Sequence, residues 1–388
     1  MGKGNIAEKI ILILLILALG FAGGTARLRP KAAAPDPAET AQPQQMAQPQ
    51  ETAQPPAETA SLPELTQPPE ETAAPAPTPA PEAYHLSFVG DCTFGSVAGL
   101  PGGYLSVVNG DYAYPFAKTV QFFRDDDFTM ANLECCLTEE TVARAKTFVF
   151  RAPPDYANIL AEGSVEFATL ANNHVLDYGQ KGDDDTRAAA QAAGVECVGR
   201  DEWTVYETER GLRIGVYGVS FGTTAQIKAG VAALKEAGAE FIIAALHWGD
   251  EGSYQVNADQ KVQAHAAIDA GADFVYGSHP HTLQPMEVYE GKLIVYCMGN
   301  WSFGGNTNPR DKDTMILQMT VLRSADGATE VSDYTVIPCA SSGETDRNNY
   351  QPVPYAESDE GYQRVLDKLG GDFRGSDLTI GYGYSANE

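Results

Sequence analysis

The segment Phe274-Val-Tyr-Gly-Ser-His-Pro-His281 runs from three apolar residues directly into a glycine and two histidines. Residues 274–276 are typical of a short buried strand. Because ligands of open α/β sheets gather outside the carboxyl ends of the strands, we expect His279 and His281 at a ligand-binding edge. A neutral imidazole can bind a metal ion, and the His-x-His spacing lets the two rings point toward neighbouring ions.

Four other predicted strands also end in residues of the kinds that bind metal ions. All five ends together bring two carboxylates, an asparagine pair and four of the six histidines to one edge. Oxygen donors mixed with imidazoles suit divalent Mn, Fe or Zn better than Ca or Cu(I). The four strands are residues 86–91, ending in Asp91, residues 128–134, ending in Glu134, residues 165–171, followed by Asn172, Asn173 and His174, and residues 241–246, followed by His247.

Predicted helices alternate with these strands along most of the chain. Such a β-α-β-α pattern with apolar strands indicates an α/β sandwich whose sheet is largely parallel or mixed. The predicted helices are residues 153–160, 180–193, 225–237, 258–270 and 361–369, and the remaining predicted strands are residues 204–209, 213–219, 292–298, 314–322 and 329–337.

Each strand-end residue also has an ordinary structural interpretation when it is taken alone. Asp91 and the Asn172-Asn173 pair could form turns. Glu134 could be a solvated acid, and His247 could be a core histidine. Five separate strand ends that all carry ligand-type residues argue against these interpretations together, so we expect a metal site.

The other two histidines and the six cysteines are expected to lie outside this site. His265 falls within a predicted helix and is interpreted as structural, and His85 begins the first strand without a companion. The cysteines contain no Cys-x-x-Cys pair, and the adjacent Cys135 and Cys136 are expected to be free buried thiols.

Six short segments form an ordered set of motifs across residues 84–338. They are Gly90-Asp91, Asn132-Leu-Glu134, Ala171-Asn-Asn-His-Val-Leu-Asp177-Tyr-Gly179, His247-Trp-Gly249, Gly277-Ser-His-Pro-His281 with Gln284, and Met298-Gly-Asn300-Trp-Ser-Phe303. In this order they resemble the bacterial capsule-synthesis (CapA, poly-γ-glutamate) family. The resemblance implies a calcineurin-like metallophosphoesterase fold, which is a four-layer α/β/β/α sandwich, and a cell-surface role in synthesis or export of poly-γ-glutamate.

The resemblance also implies which residues bind the ions. Thr93 stands where the superfamily supplies a histidine, so either one or two divalent ions per chain are expected. The implied ligands are Asp91, Glu134 in the bridging position, Asn173, His247, His279 and His281.

The resemblance also implies catalytic residues. A water molecule activated by the ions would attack a phosphoryl or acyl group, and His174 would protonate the leaving oxygen. Asp177 either orients that imidazole or caps the helix predicted at residues 180–193. Asn300 either binds substrate or forms a turn. Arg151 is a candidate for neutralising an anionic ligand, with an ordinary surface arginine as the alternative.

The first 83 residues predict a targeting segment and a linker. Lys3 and Lys9 precede an uncharged run at residues 10–26, which is typical of a cleaved signal peptide or an uncleaved membrane anchor. We favour the anchor, because no clear Ala-x-Ala cleavage site follows. Residues 32–83 lack Lys and Arg and are rich in Pro, Ala, Glu and Thr, so they are expected to be disordered. The predicted division is therefore 1–31 targeting segment, 32–83 linker, 84–340 domain and 341–388 extension of the domain.

The charge of the chain argues against a nucleic-acid partner. The formal net charge is −26, and residues 84–388 carry 43 acidic against 21 basic side chains, a net of −22. A bound cation would still create a local anion site, because metal ions are often the largest charges in a site.

Two functions are consistent with these features. The first is an extracytoplasmic, membrane-anchored, metal-dependent phosphoesterase-like hydrolase in polyglutamate capsule or envelope polymer metabolism. The second is a non-catalytic scaffold that binds the polymer or its synthase subunits and retains part of a metal site. Thr93 in place of histidine favours the scaffold, whereas His174 favours the enzyme, because a scaffold needs no general acid.

Overall fold

The computed structural model describes residues 80–96 and 102–373. The predicted targeting segment at residues 1–31 and most of the predicted linker lie outside these residues. Within the described residues, no helix has the length and apolar character needed to cross a membrane.

Sixteen strands and six α-helices form the described part of the chain. The strands are β1 Glu82–Thr93, β2 Phe128–Leu133, β3 Cys136–Leu137, β4 Arg151–Ala152, β5 Phe167–Thr169, β6 Glu196–Val198, β7 Glu202–Glu207, β8 Arg213–Ser220, β9 Phe241–His247, β10 Phe274–Ser278, β11 Met286–Tyr289, β12 Lys292–Val295, β13 Asn300–Phe303, β14 Asp313–Arg323, β15 Thr329–Ala340 and β16 Val353–Pro354. The helices are α1 Tyr104–Val108, α2 Asn158–Glu162, α3 Gly179–Ala192, α4 Thr224–Glu236, α5 Ala258–Ala270 and α6 Glu360–Leu369, with short 3₁₀ helices at Tyr114–Phe116, Val120–Phe122 and Pro154–Ala157.

Two mixed sheets carry most of these strands. The first has the order β16-β15-β14-β1-β2-β5-β6, with β13 also paired to β1, and the second has the order β11-β12-β10-β9-β8-β7. The strands β1, β2, β5 and β6 run parallel, as do β8, β9, β10 and β12. The carboxyl ends within each parallel group therefore lie at the same edge of its sheet.

Three apolar clusters join the sheets and helices into four layers. Between the sheets, the rings of Phe88 in β1 and Phe274 in β10 have centroids 4.8 Å apart. Val89, the next residue of β1, points to the other face and packs in a cluster with Ile159 of α2. On the outer face of the second sheet, Ile227 of α4 packs in a cluster with strand residues of that sheet. The four-layer α/β/β/α sandwich is therefore confirmed.

Helix α5 has the bounds that were predicted, and the structure shows a capping interaction at each end. The Asn257 side chain accepts a hydrogen bond from the Gln260 amide, and the Gln260 side chain accepts one from the Asn257 amide. Gly271 ends the helix in the left-handed conformation, with φ of 110°.

Several predicted elements differ from the structure at their ends. Strand β1 begins at Glu82, inside the predicted linker, because its first residues pair with the end of β14 at Arg323. The strand predicted at residues 292–298 ends at Val295, and Met298 instead donates its amide to Gly277. The helix predicted at residues 153–160 is a 3₁₀ turn followed by α2, which extends two residues further. Six strands of two to four residues were not predicted, because each is too short to show a periodicity of its own: β3, β4, β6, β11, β13 and β16.

A buried charge network holds the C-terminal helix α6 against the sandwich. Lys368 Nζ lies 2.7 Å from carboxylate oxygens of both Asp311 and Asp313, and all three side chains are buried. Arg364 adds two hydrogen bonds to Asp313, each 2.6 Å long. Burial alone would raise the pKa of Asp313, but the Lys368 and Arg364 cations outweigh it and hold the pKa below its ordinary value.

Replacement of Lys368→Met is expected to destabilise the protein by about 3–5 kcal/mol, because it leaves buried carboxylates without their shared cation. The free energy of unfolding from denaturant titration measures this loss. Lys181→Met is the matched control, since Lys181 forms an exposed pair with Asp185 and its loss is expected to cost less than about 1 kcal/mol. Equal losses in the two variants would contradict the structural importance of the network.

Candidate metal centre

The carboxyl ends of the parallel strands bring the predicted ligands together at one edge of the sandwich. In the first sheet, Asp91 of β1 lies opposite Asn132 of β2 and Asn300 of β13. In the second sheet, His247 at the end of β9 lies opposite Ser278 at the end of β10. Both sheets therefore contribute to a single site.

A close backbone contact explains why glycine precedes Asp91. The Asp91 amide donates to the Gly299 carbonyl oxygen at 2.9 Å. A Cβ atom at residue 90 would collide with the same carbonyl group. Gly90 therefore allows the end of β1 to approach the turn before β13, and this approach sets the position of the carboxylate.

Glu134, His247 and His279 form the first group of ligand atoms, with one atom from each within 4.8 Å of the others. His247 Nε2 lies 3.5 Å from Glu134 Oε1 and 2.8 Å from Asn173 Oδ1. The opposite nitrogen, Nδ1, lies 2.9 Å from the Ser278 hydroxyl. The serine contact orients the ring and leaves Nε2 facing the other ligand atoms.

Asp91, Glu134 and His281 form the second group, again with one atom from each within 4.8 Å of the others. His281 Nδ1 lies 3.3 Å from Asp91 Oδ2, and its Nε2 lies 3.9 Å from Glu134 Oε1. Asn300 Oδ1 lies 2.9 Å from His281 Nδ1, so Asn300 orients this ring, and its contact with substrate stays a prediction. Because Glu134 belongs to both groups, it lies between two candidate ion positions.

Two buried atoms of this cluster lack a hydrogen-bond partner within the described residues, namely Glu134 Oε1 and His279 Nδ1. Glu134 is fully buried, so it is not the solvated acid that the sequence left as an alternative. An unsatisfied buried polar atom costs about 1–3 kcal/mol. A divalent cation would satisfy both atoms, and carboxylates with imidazoles suit Mn, Fe or Zn. The residues therefore fit the predicted metal site.

Burial and charge separate the pKa values of the three histidines. Burial lowers the pKa of His279 to about 3 and that of His247 well below its ordinary value. Burial also acts to lower the pKa of His281, but the Glu134 and Asp91 carboxylates outweigh it and raise the pKa to about 9. Metal ions bind the neutral imidazole. His247 and His279 are therefore already in the binding form at pH 7.

The loop that carries two of these histidines has a strained backbone. His279 has φ of 99° and His281 has φ of 58°, which for residues other than glycine costs of the order of 1–3 kcal/mol each. The two ring centroids are 5.9 Å apart, and the His279 ring lies 4.7 Å from that of His247. The strained turn thus directs His279 to the first group and His281 to the second.

Thr93, the residue in place of the expected histidine, is buried and turned toward the backbone. Its hydroxyl donates to the Glu134 carbonyl oxygen at 3.0 Å. Thr93 therefore helps to position Glu134.

A histidine–aspartate pair lies next to the cluster along the chain. His174 Nδ1 and Asp177 Oδ2 are 2.6 Å apart, and both residues are buried. Asp177 also accepts from the Phe150 amide at 2.8 Å and from Lys146 Nζ at 2.7 Å. Asp177 does not cap the following helix, because the N-cap residue of α3 is Tyr178. The structure therefore supports the orienting role of Asp177.

Three residues outside the cluster have other contacts. The Arg151 guanidinium donates to the Glu140 carbonyl oxygen at 2.7 Å and lies over the Tyr178 ring, so its binding of an anion stays a prediction. His265 lies 2.9 Å from Glu287 and stacks on a tyrosine, which agrees with a structural role. His85 lies 3.3 Å from the Thr320 hydroxyl.

Comparison with known proteins identifies the family of the chain. The family described as bacterial capsule synthesis protein PGA_cap matches residues 85–304, which contain every predicted site residue. The chain belongs to the PGA_cap family. All six ligand candidates of this family member, together with His174 and Asp177, are brought to one edge by its fold.

Curated relatives of this PGA_cap chain carry related names. It is 28% identical over 239 residues to the capsule biosynthesis protein CapA of Bacillus anthracis, a match that covers 53% of this chain and 57% of that protein. It is 26% identical to the PGA biosynthesis protein CapA of Bacillus subtilis, covering 63% of this chain and 70% of that protein. A probable polyglutamine synthesis accessory protein of Mycobacterium tuberculosis is 28% identical, covering 56% and 68%. The chain thus spans little more than half the length of the first relative.

Solved structures give weaker similarity. TT1561 of Thermus thermophilus aligns with a TM-score of 0.38 and 10% identity, covering 65% of this chain and 99% of that protein. The purple acid phosphatase PPD1 of yellow lupin aligns with a TM-score of 0.32 and 12% identity, covering 67% and 55%.

The PGA_cap domain places three further residues at the site that the sequence did not single out. Glu251 has a carboxylate oxygen within 4.8 Å of ligand nitrogens of His279 and His281. Lys146 Nζ donates to the Asn173 carbonyl oxygen at 3.0 Å. Phe221 is 57% exposed, and its ring lies 4.8 Å from that of His279. Glu251 follows His247 by four residues and carried a weak signal, whereas the other two lie in loops without a recognisable pattern.

Metal binding is expected to stabilise this PGA_cap protein, because a ligand that binds only the folded state shifts the unfolding equilibrium. Adding Mn²⁺ or Zn²⁺ at about 100 times its dissociation constant should contribute about 2.7 kcal/mol, and a chelator should reverse the gain. The combined His279→Ala and His281→Ala variant should lose both the bound metal and the thermal shift. Elemental analysis and thermal melts of the full chain measure these two quantities.

His265→Ala is the matched control, since it removes an imidazole outside the cluster. It should leave the metal content and the metal-dependent thermal shift unchanged. Metal content that falls equally in the His265 variant, or that persists in the double variant, would contradict the assignment of the cluster.

Proposed function

We propose that this protein is an extracytoplasmic, membrane-anchored, metal-dependent phosphoesterase-like hydrolase that serves poly-γ-glutamate capsule or envelope polymer biosynthesis. The biological context is supported by membership of the PGA_cap family and by the names of the capsule and PGA biosynthesis relatives. The surface location is supported by the uncharged run at residues 10–26.

The observation that carries the catalytic proposal is the pair of His174 and Asp177 beside the ligand cluster. A cluster that only stabilised a scaffold would need no oriented imidazole. Asp177 is fully buried and accepts from three donors, one of which is the Lys146 ammonium. This arrangement fixes the ring of His174 as a catalytic acid requires.

The ligand cluster defines where the phosphoester would bind. Divalent ions held by the cluster would polarise the phosphoryl oxygens and activate a water molecule for attack on phosphorus. Lys146 Nζ donates to the Asn173 carbonyl oxygen and to the Asp177 carboxylate, and would thereby hold Asn173 and the His174–Asp177 pair in place beside the ions.

His174 would complete the reaction by protonating the leaving oxygen. Its Nδ1 is engaged by Asp177, so Nε2 is the nitrogen that exchanges the proton. Burial lowers the pKa of His174 even though the Asp177 carboxylate opposes this shift. An anionic phosphoester close to the ring would raise that pKa again, because an opposite charge favours the protonated form. The phosphorus–oxygen bond then breaks as Nε2 transfers its proton to the departing alcohol.

The charge of the protein favours a phosphoester over the polyglutamate backbone as the group that reacts. Residues 84–388 carry a net charge of −22, which repels a polycarboxylate over most of the surface. Attraction would be confined to the region of the ions. A single phosphoryl group needs only this local positive region.

Replacement of His174→Ala is expected to lower kcat by about 10²–10⁴-fold for an alkyl phosphoester, because the departing alkoxide then lacks a proton donor. The loss should be much smaller for a p-nitrophenyl phosphoester, whose leaving group needs little protonation. Steady-state hydrolysis by the metal-loaded full chain measures both values, with His265→Ala as the control variant. Equal losses for the two leaving groups would contradict the role of His174 as the acid.

The second candidate function is a non-catalytic scaffold that binds the polymer or its synthase subunits. It is favoured by Thr93, whose hydroxyl turns to the Glu134 carbonyl where the superfamily pattern supplies a ligand. Protein that is fully loaded with metal but hydrolyses neither phosphoester would support this scaffold function and overturn the enzyme.

A further inference from the structure

Phe221 is an exposed aromatic residue at the edge of the sandwich that carries the metal centre. It directly follows Ser220, the last residue of β8, and Ser220 lies opposite His247, the last residue of β9. Ligands of α/β sheets gather outside the carboxyl ends of parallel strands such as these. Strand β8 thus leads into a phenyl ring at the edge where β9 and β10 lead into imidazoles.

The Phe221 ring contacts the metal centre through two of its histidines. The ring centroid lies 4.8 Å from that of His279, with the two rings nearly perpendicular at 80°, and 6.2 Å from that of His247. The Phe221 amide also donates to the His247 carbonyl oxygen at 2.9 Å. His247 and His279 both belong to the first group of ligand atoms. The phenyl ring therefore borders the first candidate ion position.

The connection between β8 and α4 fixes the backbone that carries this ring. Phe221 has φ of 49°, a conformation that is unfavourable for a residue with a side chain. Gly222 alone separates it from Thr223, the N-cap residue of α4, which forms a capping box with Gln226. A Cβ atom at residue 222 would lie 2.3 Å from a methyl carbon of Val219, so the connection is also tightly packed.

The phenyl ring stays exposed in spite of these contacts. Phe221 is 57% exposed, more than any other aromatic residue in the described ranges of the chain. Small-molecule sites combine aromatic side chains with a few convergent polar groups, and strained residues cluster at active sites. Because the folded state gains little from a strained and exposed phenylalanine, the position of Phe221 favours a contact with the substrate.

The chemistry of this residue selects the kind of group that it would contact. Aromatic rings that stack or meet edge to face gain more than the burial of their area alone. The net charge of −22 on residues 84–388 disfavours a second anionic group away from the ions. The matching group is therefore a flat, uncharged ring and not an acidic chain.

We infer that Phe221 contacts the organic group of the phosphoester and gives the site a preference for a planar, uncharged ring over a small alkyl group. This inference rests on the proposed hydrolase function and deepens it by naming a substrate class. The phosphoryl group binds at the ligand cluster, and the ring attached to it packs against Phe221. Phe221 thus acts on substrate binding, whereas His174 acts on the chemical step.

The test compares benzyl phosphate with ethyl phosphate, whose leaving alcohols have similar basicity, on the metal-loaded full chain and on Phe221→Ala. The wild type should have the lower KM for benzyl phosphate. In Phe221→Ala the ratio of the ethyl KM to the benzyl KM should fall about tenfold, because one ring contact is lost. Phe221→Trp should keep the preference, since it restores an aromatic ring. Dissociation constants of benzylphosphonate and ethylphosphonate, measured by calorimetry, give the same comparison without hydrolysis.

Trp203→Ala is the matched control, because it removes an exposed aromatic ring from the edge strand β7. Trp203 is 46% exposed and lies opposite Tyr217, in the interior of β8 and not at its carboxyl end. It should keep both ratios at the wild-type value. An equal loss in Trp203→Ala would overturn the inference, since it would mean that any exposed ring attracts the benzyl group.

Elemental analysis of the variants separates substrate preference from metal binding. Phe221→Ala should hold as much metal as the wild type. A loss of metal in this variant would assign Phe221 to the support of the His279 ring and would overturn its role in substrate preference.

The remaining outcomes separate the inference from the proposed function. Hydrolysis with the same preference in the wild type and Phe221→Ala, or with no preference in the wild type, would overturn the role of Phe221 and leave the hydrolase standing. A wild type that hydrolyses neither ester but binds benzylphosphonate more tightly, with the preference lost in Phe221→Ala, would support the role of Phe221 and overturn the hydrolase. A wild type that neither hydrolyses the esters nor binds the phosphonates would overturn both.

Discussion

The arrangement of the site depends on one constraint, which is the burial of the Glu134 carboxylate. Its carboxylate is fully buried at the end of β2, belongs to both ligand groups, and has one oxygen without a hydrogen-bond partner in the part of the chain that the structure describes. A buried carboxylate in this state is expensive unless a cation compensates it. The features around it, including the strained histidines and the Thr93 hydroxyl, hold the neighbouring groups where such a cation would bind.

The sandwich makes this arrangement possible because it has two sheets. Each sheet contributes parallel strands whose carboxyl ends face the same edge, and the apolar cluster around Phe88 and Phe274 holds the sheets together. The ligands therefore come from two sheets, and they lie far apart in the sequence. The buried Lys368 network is distant in sequence from the ligands. It is connected to the loop after β9, which contains Glu251, because Tyr254 of that loop donates a hydrogen bond to Asp311 at 2.8 Å.

Much of the fold and part of the site could be predicted from residue patterns. Apolar runs and polar strand ends predicted the alternation of elements and the ligands from Asp91 to His281. The resemblance to the capsule-synthesis family predicted the four-layer architecture. The short strands β6, β11 and β13 could not be predicted, because their pairing partners and not their composition define them. The choice between two roles of Asp177 likewise depended on where Phe150 and Lys146 lie in space.

The amino-acid sequence alone determined the chemical character of this protein. It is an acidic domain in which imidazoles and carboxylates follow apolar strands. Those properties are local, since a strand and the residue that follows it are covalently joined. Other features are not local. They are the approach of Glu251 to His279 and His281, the hydrogen bond of the Thr93 hydroxyl to the Glu134 carbonyl oxygen, and the buried Glu134 oxygen that has no hydrogen-bond partner among the described residues. They arise from packing between loops and sheets, which brings distant residues within a few ångströms and excludes the water that would otherwise satisfy them.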